Sequence, residues 1–199
     1  MRPTRSPRWS LVVFLLIGVG LSTVPERAQA VTGHARAVRA TVGQAPTQVT
    51  TALADTGPLG GPQDARDASL LAWTIPALLT GEGLHATTIA RDERVDSAAS
   101  LGNLALSIAG TTITADFVLA RATAAAEPAA AGHAVVEGLQ VNGLPILATG
   151  EPNQRIDVPG GYLLINELQR APGSASVNAL HLVITGVADV VIASATASR

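Results

Sequence analysis

Five polar residues in the C-terminal third of the chain have side chains that could contact a ligand or move a proton. They are Asn142, Asn166, Glu167, Asn178 and His181, and each lies in or beside an apolar segment. A carboxylate or an amide in an apolar strand costs free energy unless it is hydrogen-bonded or faces solvent. We therefore interpret these five residues as ligand-contacting or structural polar positions, and their leucine-rich surroundings favour the structural role.

Asn166 and Glu167 are neighbours in the segment 163–168, LLINEL. Strict strand alternation places Asn166 on one face among leucines and Glu167 on the opposite face. Asn166 then needs a hydrogen-bond partner, and Asn178 or His181 on the following strand could supply one. We expect the single substitution Asn166→Leu to destabilise the fold by ~1–3 kcal/mol.

The residue types of a serine-hydrolase triad are present as Ser174, His181 and Asp189. An activated serine usually lies in a G-x-S-x-G turn between a strand and a helix. Residues 172–176 read PGSAS, which lacks the second glycine and leads into a strand. No catalytic residue is therefore assigned.

Metal binding and glycoside hydrolysis can also be judged from the spacing of the residues that they require. His133 and Glu137 would share one side of an extended strand, but the other histidines are scattered along the chain, so neither a metal nor a cofactor is expected. Paired carboxylates could hydrolyse a glycosidic bond. Nothing selects a pair among the six candidates Asp116, Glu137, Glu151, Asp157, Glu167 and Asp189.

Composition excludes several function classes. The chain has 199 residues and no cysteine, so thiol catalysis, zinc thiolate sites and disulfides are ruled out. All 13 basic residues are arginine, against 15 acidic residues. Four of those arginines and one glutamate fall within residues 1–30, so the remainder is acidic and a nucleic-acid partner is not expected.

Residues 1–30 have the three zones of a secretory signal peptide. Arg2, Arg5 and Arg8 precede an apolar run over 11–21, and Ala28-Gln29-Ala30 forms a small-x-small cleavage site. The apolar run is shorter than the ~20 residues of a membrane span. We therefore predict export with cleavage before Val31, a secreted or loosely surface-associated product, and no membrane span after cleavage.

The rest of the chain, residues 31–199, reads as one all-β domain. Short apolar segments with period-two alternation are separated by Gly, Pro and polar turn signals, which is typical of a sandwich or barrel. We predict a β-sandwich or jelly-roll of about nine to eleven strands, with a β-solenoid as the alternative. The predicted strands are 34–42, 47–53, 68–75, 84–90, 97–109 and 113–122, preceding an organising core of four apolar segments within 135–197. Gly81 and Gly83 are expected to form a turn between strands.

The C-terminal segments and three upstream segments resemble the choice-of-anchor P family of exported bacterial proteins. The matching segments are 55–59 (DTGPL), 68–71 (ASLL), 113–117 (ITADF), 141–143 (VNG), 159–167 (PGGYLLINE), 177–182 (VNALHL) and 189–195 (DVVIASA). The resemblance implies a secreted or surface-displayed domain. It transfers no catalytic residues, and because no sorting motif follows the last predicted strand we expect release or non-covalent retention.

These observations lead to one functional expectation and two alternatives. The expectation is a non-enzymatic exported envelope or extracellular protein with a structural or adhesive role, whose partners are cell-envelope glycans or proteins. The alternatives are a secreted hydrolase and a module that binds a glycan or another small ligand. An aromatic platform for sugar would have to come from Trp73, Phe117 and Tyr162, the only aromatic residues after position 30.

Overall fold

The computed structural model describes residues 31–126 and 129–199, and within them it is built from strands and turns. The predicted signal peptide lies outside the described residues. The thirteen strands are β1 (Thr32–Val42), β2 (Val49–Asp55), β3 (Ala65–Ile75), β4 (Leu79–Arg91), β5 (Arg94–Ile108), β6 (Thr111–Ala124), β7 (Ala131–Glu137), β8 (Gln140–Val141), β9 (Leu144–Pro145), β10 (Gln154–Val158), β11 (Gly161–Ala171), β12 (Ser174–Ile184) and β13 (Ala188–Ser198).

The strands form two antiparallel sheets that pack face to face. The six-stranded sheet has the order β10-β11-β12-β13-β1-β2, and the seven-stranded sheet has the order β3-β4-β5-β6-β8-β9, with β7 also paired to β6. Strands β12 and β13 lie over β6, and β1 lies over β4 and β5. The predicted all-β sandwich is confirmed and the arrangement is not a solenoid. The strand number exceeds the predicted nine to eleven because β8 and β9 are two-residue strands.

The stretch 135–197 does not form a unit by itself, in contrast to the prediction that it is the organising core. Strands β7, β8 and β9 join the seven-stranded sheet through β6. Strand β1 then pairs with the C-terminal β13 and β2 completes the six-stranded sheet. The chain termini of the domain therefore meet in the middle of one sheet, which local sequence patterns cannot indicate.

The core between the sheets is built from alanine and aliphatic side chains. Its largest fully buried side chains are leucine, isoleucine and valine, among them Leu101, Ile113 and Leu180. Alternating alanines such as Ala120 and Ala195 fill the space between them at essentially zero exposure. This composition follows from a chain in which only 3% of residues are aromatic.

In each strand of the six-stranded sheet from β11 to β2, the alternation of inward-facing and outward-facing side chains changes phase once. The residues at which it changes are neighbours across the sheet. Two consecutive side chains there point inward, for example Ala37 and Val38 in β1. The registers on both sides of this level place five residues in one row across the sheet, Asn166, Ala179, Ala193, Ala37 and Ala54. Every second residue of the row has a positive φ, with values of 52°, 51° and 45° for Asn166, Ala193 and Ala54. We call this row the reversal line.

The seven-stranded sheet has a comparable row. It runs through Leu71, Gly83, Asn103, Asp116 and Gly138, and the φ of the second, third and fifth residue is positive. The register between β4 and β5 shifts at this level. Gly81 and Gly83 thus lie inside one long strand, and the prediction of a turn between two strands was wrong because glycine supports a positive φ within a strand as readily as in a turn.

In the described part of the chain, no helix has the length and apolar character needed to cross a membrane.

Candidate functional site

Two clusters of interacting polar side chains lie on the outer face of the six-stranded sheet. Glu167 of β11 is opposite Asn178 of β12, Asn178 is opposite Ser194 of β13, Ser194 is opposite Arg36 of β1, and Arg36 is opposite Asp55 of β2. At about 4.8 Å between strands this row is about 19 Å long. We call it, together with the adjoining His34, Arg39, His181 and Asp189, the polar band.

Glu167 is the centre of one half of the polar band. Its Oε2 accepts a hydrogen bond from Nδ2 of Asn178 at 2.6 Å and another from Nδ1 of His181 at 2.8 Å. The side chains of Glu167 and His181 are each only 15% exposed. Asn178 and His181, which the sequence offered as partners for Asn166, therefore bind Glu167.

His181 lies between two carboxylates. Its Nε2 is 3.4 Å from Oδ2 of Asp189, which is within ion-pair range but makes no hydrogen bond of good geometry. Nη2 of Arg39 donates to Oδ1 of Asp189 at 3.0 Å. Across four strands the charges therefore alternate in sign, from Glu167 through His181 and Asp189 to Arg39.

The hydrogen bond between Glu167 and His181 changes the acidity of both groups. The imidazole lowers the pKa of Glu167, with help from the Asn178 amide and against the effect of burial. The carboxylate raises the pKa of His181, again against burial, and Asp189 adds to this shift. Both shifts favour the ion pair of a carboxylate with an imidazolium.

Asp55 is the centre of the other half of the polar band. Its Oδ1 accepts from Nε2 of His34 at 2.6 Å and from the backbone of Gly57 at 2.9 Å, and its Oδ2 accepts from Nε of Arg36 at 2.6 Å. Partial burial raises the pKa of Asp55, but these hydrogen bonds outweigh it and leave the pKa below its ordinary value. Each half of the band is thus a carboxylate held by two side-chain donors.

The reversal line brings the residues of the band to one face. Arg36 and Arg39 are three positions apart, as are Asn178 and His181, and strict alternation would send each pair to opposite faces. In each strand the two residues between them point inward instead. All four side chains consequently reach the outer face.

Asn166 lies on the reversal line, where it is 3% exposed. Its Nδ2 donates to the backbone oxygen of Gly150 at 2.9 Å, and its own backbone oxygen accepts from the N–H of Asn153 at 2.8 Å. The predicted contacts to Asn178 and His181 are therefore wrong. Because the chain reverses at Asn166, Glu167 is on the outer face and not on the side of the buried Leu163, contrary to the alternation argument.

Asn142 is distant from the polar band, in the seven-stranded sheet. With Gly143 it forms the two-residue turn between β8 and β9, and both residues have positive φ, 52° and 75°. Its Oδ1 accepts from the backbone N–H of Thr112 at 2.8 Å, and its own N–H donates to the oxygen of Thr112 at the same distance. Asn142 thereby attaches a hairpin to the start of β6.

The structure places His181 beside Asp189 but separates Ser174 from both, so the three residues do not form a triad. Ser174 is the first residue of β12 and faces Ser198 in the register, while His181 is seven residues further along the same strand. At about 3.3 Å per residue the two are about 23 Å apart. Among the described residues no group of three or more His, Asp or Glu side chains is arranged to hold a metal ion.

Sequence reasoning missed half of the polar band. Arg36, Arg39 and His34 lie in a segment whose alternation visibly changes phase, and that phase change was the available signal that the two arginines share a face. Asp55 follows the predicted strand 47–53 and precedes TGPLGGP, a run whose glycines and prolines are typical of a loop. Its place at the end of β2, opposite Arg36, depends on a pairing that only the folded sheet shows.

Comparison with protein-family models, with curated proteins and with solved structures found no match to the chain.

Proposed function

We propose that the chain is a non-enzymatic exported protein with a structural or adhesive role at the bacterial envelope or outside the cell. The observation that carries the proposal is the polar band, a row of polar side chains across five strands of the six-stranded sheet, in which the charged groups are paired in two separate clusters. Export is supported by the signal-peptide pattern of residues 1–30. The resemblance to the choice-of-anchor P family supports the same location.

The pKa shifts of Glu167 and His181 bear on whether this pair could act as a general acid and base. A general base at neutral pH needs a free lone pair, but the raised pKa of His181 favours the imidazolium form. A general acid needs a raised carboxyl pKa, whereas the pKa of Glu167 is lowered. These directions count against His181 as a general base and against Glu167 as a general acid.

A glycan-binding module is the second candidate, and the composition of the band favours it. Carboxylate, amide, hydroxyl and guanidinium groups lie in one row through Glu167, Asn178, Ser194 and Arg36. Such alternating donors and acceptors match the hydroxyl groups along a polysaccharide. If the protein is a glycan-binding module, its adhesive role would depend on binding an envelope glycan.

The test has two parts. The first is fractionation of the producing cells, with an antibody to the protein applied to cytoplasm, envelope and medium. The proposal expects the protein in the envelope or medium. Detection in the cytoplasm alone would contradict it.

The second part is co-sedimentation of the purified protein with isolated envelopes and with polysaccharide extracted from them. Ser194→Gln enlarges a side chain in the middle of the band without removing a charge, so we expect it to weaken sedimentation. Asp157→Asn is the matched control, because that carboxylate is 80% exposed on β10 and lies outside the band. Equal binding by both variants would show that the band is not the adhesive surface.

A further inference from the structure

The edge strand β3 of the seven-stranded sheet has an exposed and apolar character. Leu71 is 91% exposed and Trp73 is 46% exposed, and both lie in its second half. Trp73 is one of three aromatic residues after position 30. An exposed tryptophan beside an exposed leucine is typical of a contact surface, since tryptophan is enriched among residues that dominate binding energy.

One side of β3 is paired with β4, and among residues 31–126 and 129–199 no strand pairs with its other side. The backbone oxygen of Asp64 accepts from the N–H of Ala90, which fixes the alternation of hydrogen-bonded pairs between β3 and β4. In an antiparallel sheet, every second residue of a strand directs its backbone N–H and C=O toward the same neighbouring strand. Ala65, Asp67 and Ser69 therefore direct theirs away from β4.

Strand β3 is the longest of the edge strands. It has 11 residues, against seven in β2 and five in β10 at the two edges of the other sheet. Natural sheets usually protect a long edge with charge, proline or a bulge. The second half of β3, LAWTI from Leu71 to Ile75, has neither charge nor proline.

We propose that β3 is a self-association edge, at which two copies of the chain pair their β3 strands antiparallel about a two-fold axis at Leu70. The charge pattern of β3 is compatible with a second copy as the occupant and sets the orientation of the pairing. Both charges of β3, Arg66 and Asp67, are in its first half, so antiparallel pairing places them opposite the neutral Thr74 and Trp73 of the second copy. Parallel pairing in register would instead place like charges side by side.

The proposal goes beyond the proposed function, because it concerns contacts between copies of the pure protein and needs neither envelope nor glycan. It predicts one continuous sheet of fourteen or more strands across the dimer. Two-fold symmetry limits the assembly to two copies, because each copy has one β3 and its unpaired edge is occupied by the β3 of the other copy. A dimer and not a fibre is the expected product.

Sedimentation velocity over a range of concentrations tests the association. The sample is the full 199-residue chain expressed in a bacterium able to export it and purified as that host leaves it. We expect a monomer–dimer equilibrium. A monomer at every concentration up to about 1 mM would overturn the proposal. The dissociation constant would then exceed about 1 mM, which corresponds to a binding free energy of less than about 4 kcal/mol.

Leu71→Lys places a charge on the free edge without touching the core. We expect it to raise the dissociation constant of the dimer by about tenfold or more. Val49→Lys is the matched control, because Val49 is 64% exposed on β2 at an edge of the other sheet. Unchanged association in Leu71→Lys, or its loss in Val49→Lys, would assign the contact to another surface and overturn the proposal.

The absence of cysteine from the sequence allows the register to be measured by single-cysteine cross-linking. A cysteine in place of Leu70 would lie opposite its own copy at the axis, within the ~4.4–6.8 Å between Cα atoms that a disulfide spans. A cysteine in place of Thr74 would lie about 26 Å from its copy along the strands. Cross-linking at 70 but not at 74 is expected, and cross-linking at 74 would contradict antiparallel pairing about Leu70.

Discussion

At the scale of single residues, His181 is the clearest example of how this sheet accommodates buried charge. An imidazole that is 15% exposed would ordinarily lose its proton more readily, since burial disfavours the charged form. Here Glu167 accepts a hydrogen bond from Nδ1 and Asp189 lies beside Nε2, so the pKa of His181 is raised. The fold therefore gains stability from the ion pair over a limited range of pH.

The contribution of this ion pair to stability should depend on pH. His181, whose pKa is raised, stabilises the fold fully below its ordinary value of 6.5, and the effect is lost as the pH rises through the raised pKa. Glu167, whose pKa is lowered, stabilises it fully above its ordinary value of 4.5 and loses the effect as the pH falls through the lowered pKa. The pair should contribute most between pH 4.5 and 6.5.

Glu167→Gln should therefore reduce the unfolding free energy by about 1–3 kcal/mol near pH 5.5 and by less at pH 9. Urea denaturation at both values measures the difference. Asp157→Asn removes an exposed ion pair with Arg155 and should change little at either pH. A Glu167→Gln effect that is equal at pH 5.5 and pH 9 would contradict the assignment.

Asn166 has two separable roles, a positive φ and a hydrogen bond to Gly150. Asn166→Gly keeps the backbone conformation accessible and loses the hydrogen bond, whereas Asn166→Ala also has to adopt the left-handed region at a cost of about 1 kcal/mol. We expect both variants to be destabilised, with alanine the more affected. Thermal unfolding orders them, and an alanine variant as stable as the glycine variant would show that the conformation imposes no constraint.

At the scale of elements, two hairpins of the seven-stranded sheet form a natural comparison. Strands β5 and β6 are joined by Ala109-Gly110, and β8 and β9 by Asn142-Gly143, with positive φ at all four residues. Both are two-residue turns of the kind that favours Asn-Gly over other pairs. The first of them has alanine where asparagine is preferred.

Ala109→Asn should stabilise the protein by about 0.5–1 kcal/mol, because asparagine tolerates the left-handed conformation better than alanine and Ala109 is exposed. The reciprocal change Asn142→Ala should destabilise by more, since it also removes the hydrogen bond to Thr112. Chemical denaturation of both variants gives the comparison. A destabilised Ala109→Asn protein would refute the turn argument.

Most strands were predictable from the sequence, but the points at which their two faces exchange were not. The predicted strands 97–109 and 113–122 correspond to the paired strands β5 and β6, because strict alternation and a turn signal agree there. The error at Asn166 arose where one left-handed residue exchanges the two faces of the strand. A left-handed alanine such as Ala193 has no sequence signature, so the partners within the polar band could not be derived.

At the scale of the whole molecule, the two sheets are held together by small side chains meeting aliphatic ones. Gly132 of β7 faces Val177 of β12, whose side chain is completely buried, and Leu168 of β11 is also close. A methyl group at position 132 would overlap with Val177. The spacing of the sheets at this point therefore depends on the absence of a side chain.

Gly132→Ala should destabilise the sandwich by about 1–3 kcal/mol, because overpacking forces the sheets apart or Val177 out of its rotamer. Gly61→Ala is the matched control, since a methyl group there meets no atom within 4 Å. Thermal unfolding of the two variants measures the contrast. A Gly132→Ala protein with wild-type stability would mean that the core can relax at no cost.

The reversal line also has a consequence for how the sheet assembles. If β11, β13 or β2 slipped by a single residue, its left-handed residue would leave the row, and side chains on both sides of the row would move from the core to solvent. Five strands share the row. In each of them, the residues before the row and the residues after it both have to match the neighbouring strand, so each half of the strand specifies the register independently. A sheet rich in alanine and serine, whose side chains discriminate weakly between alternative alignments, is thereby protected against pairing in the wrong register.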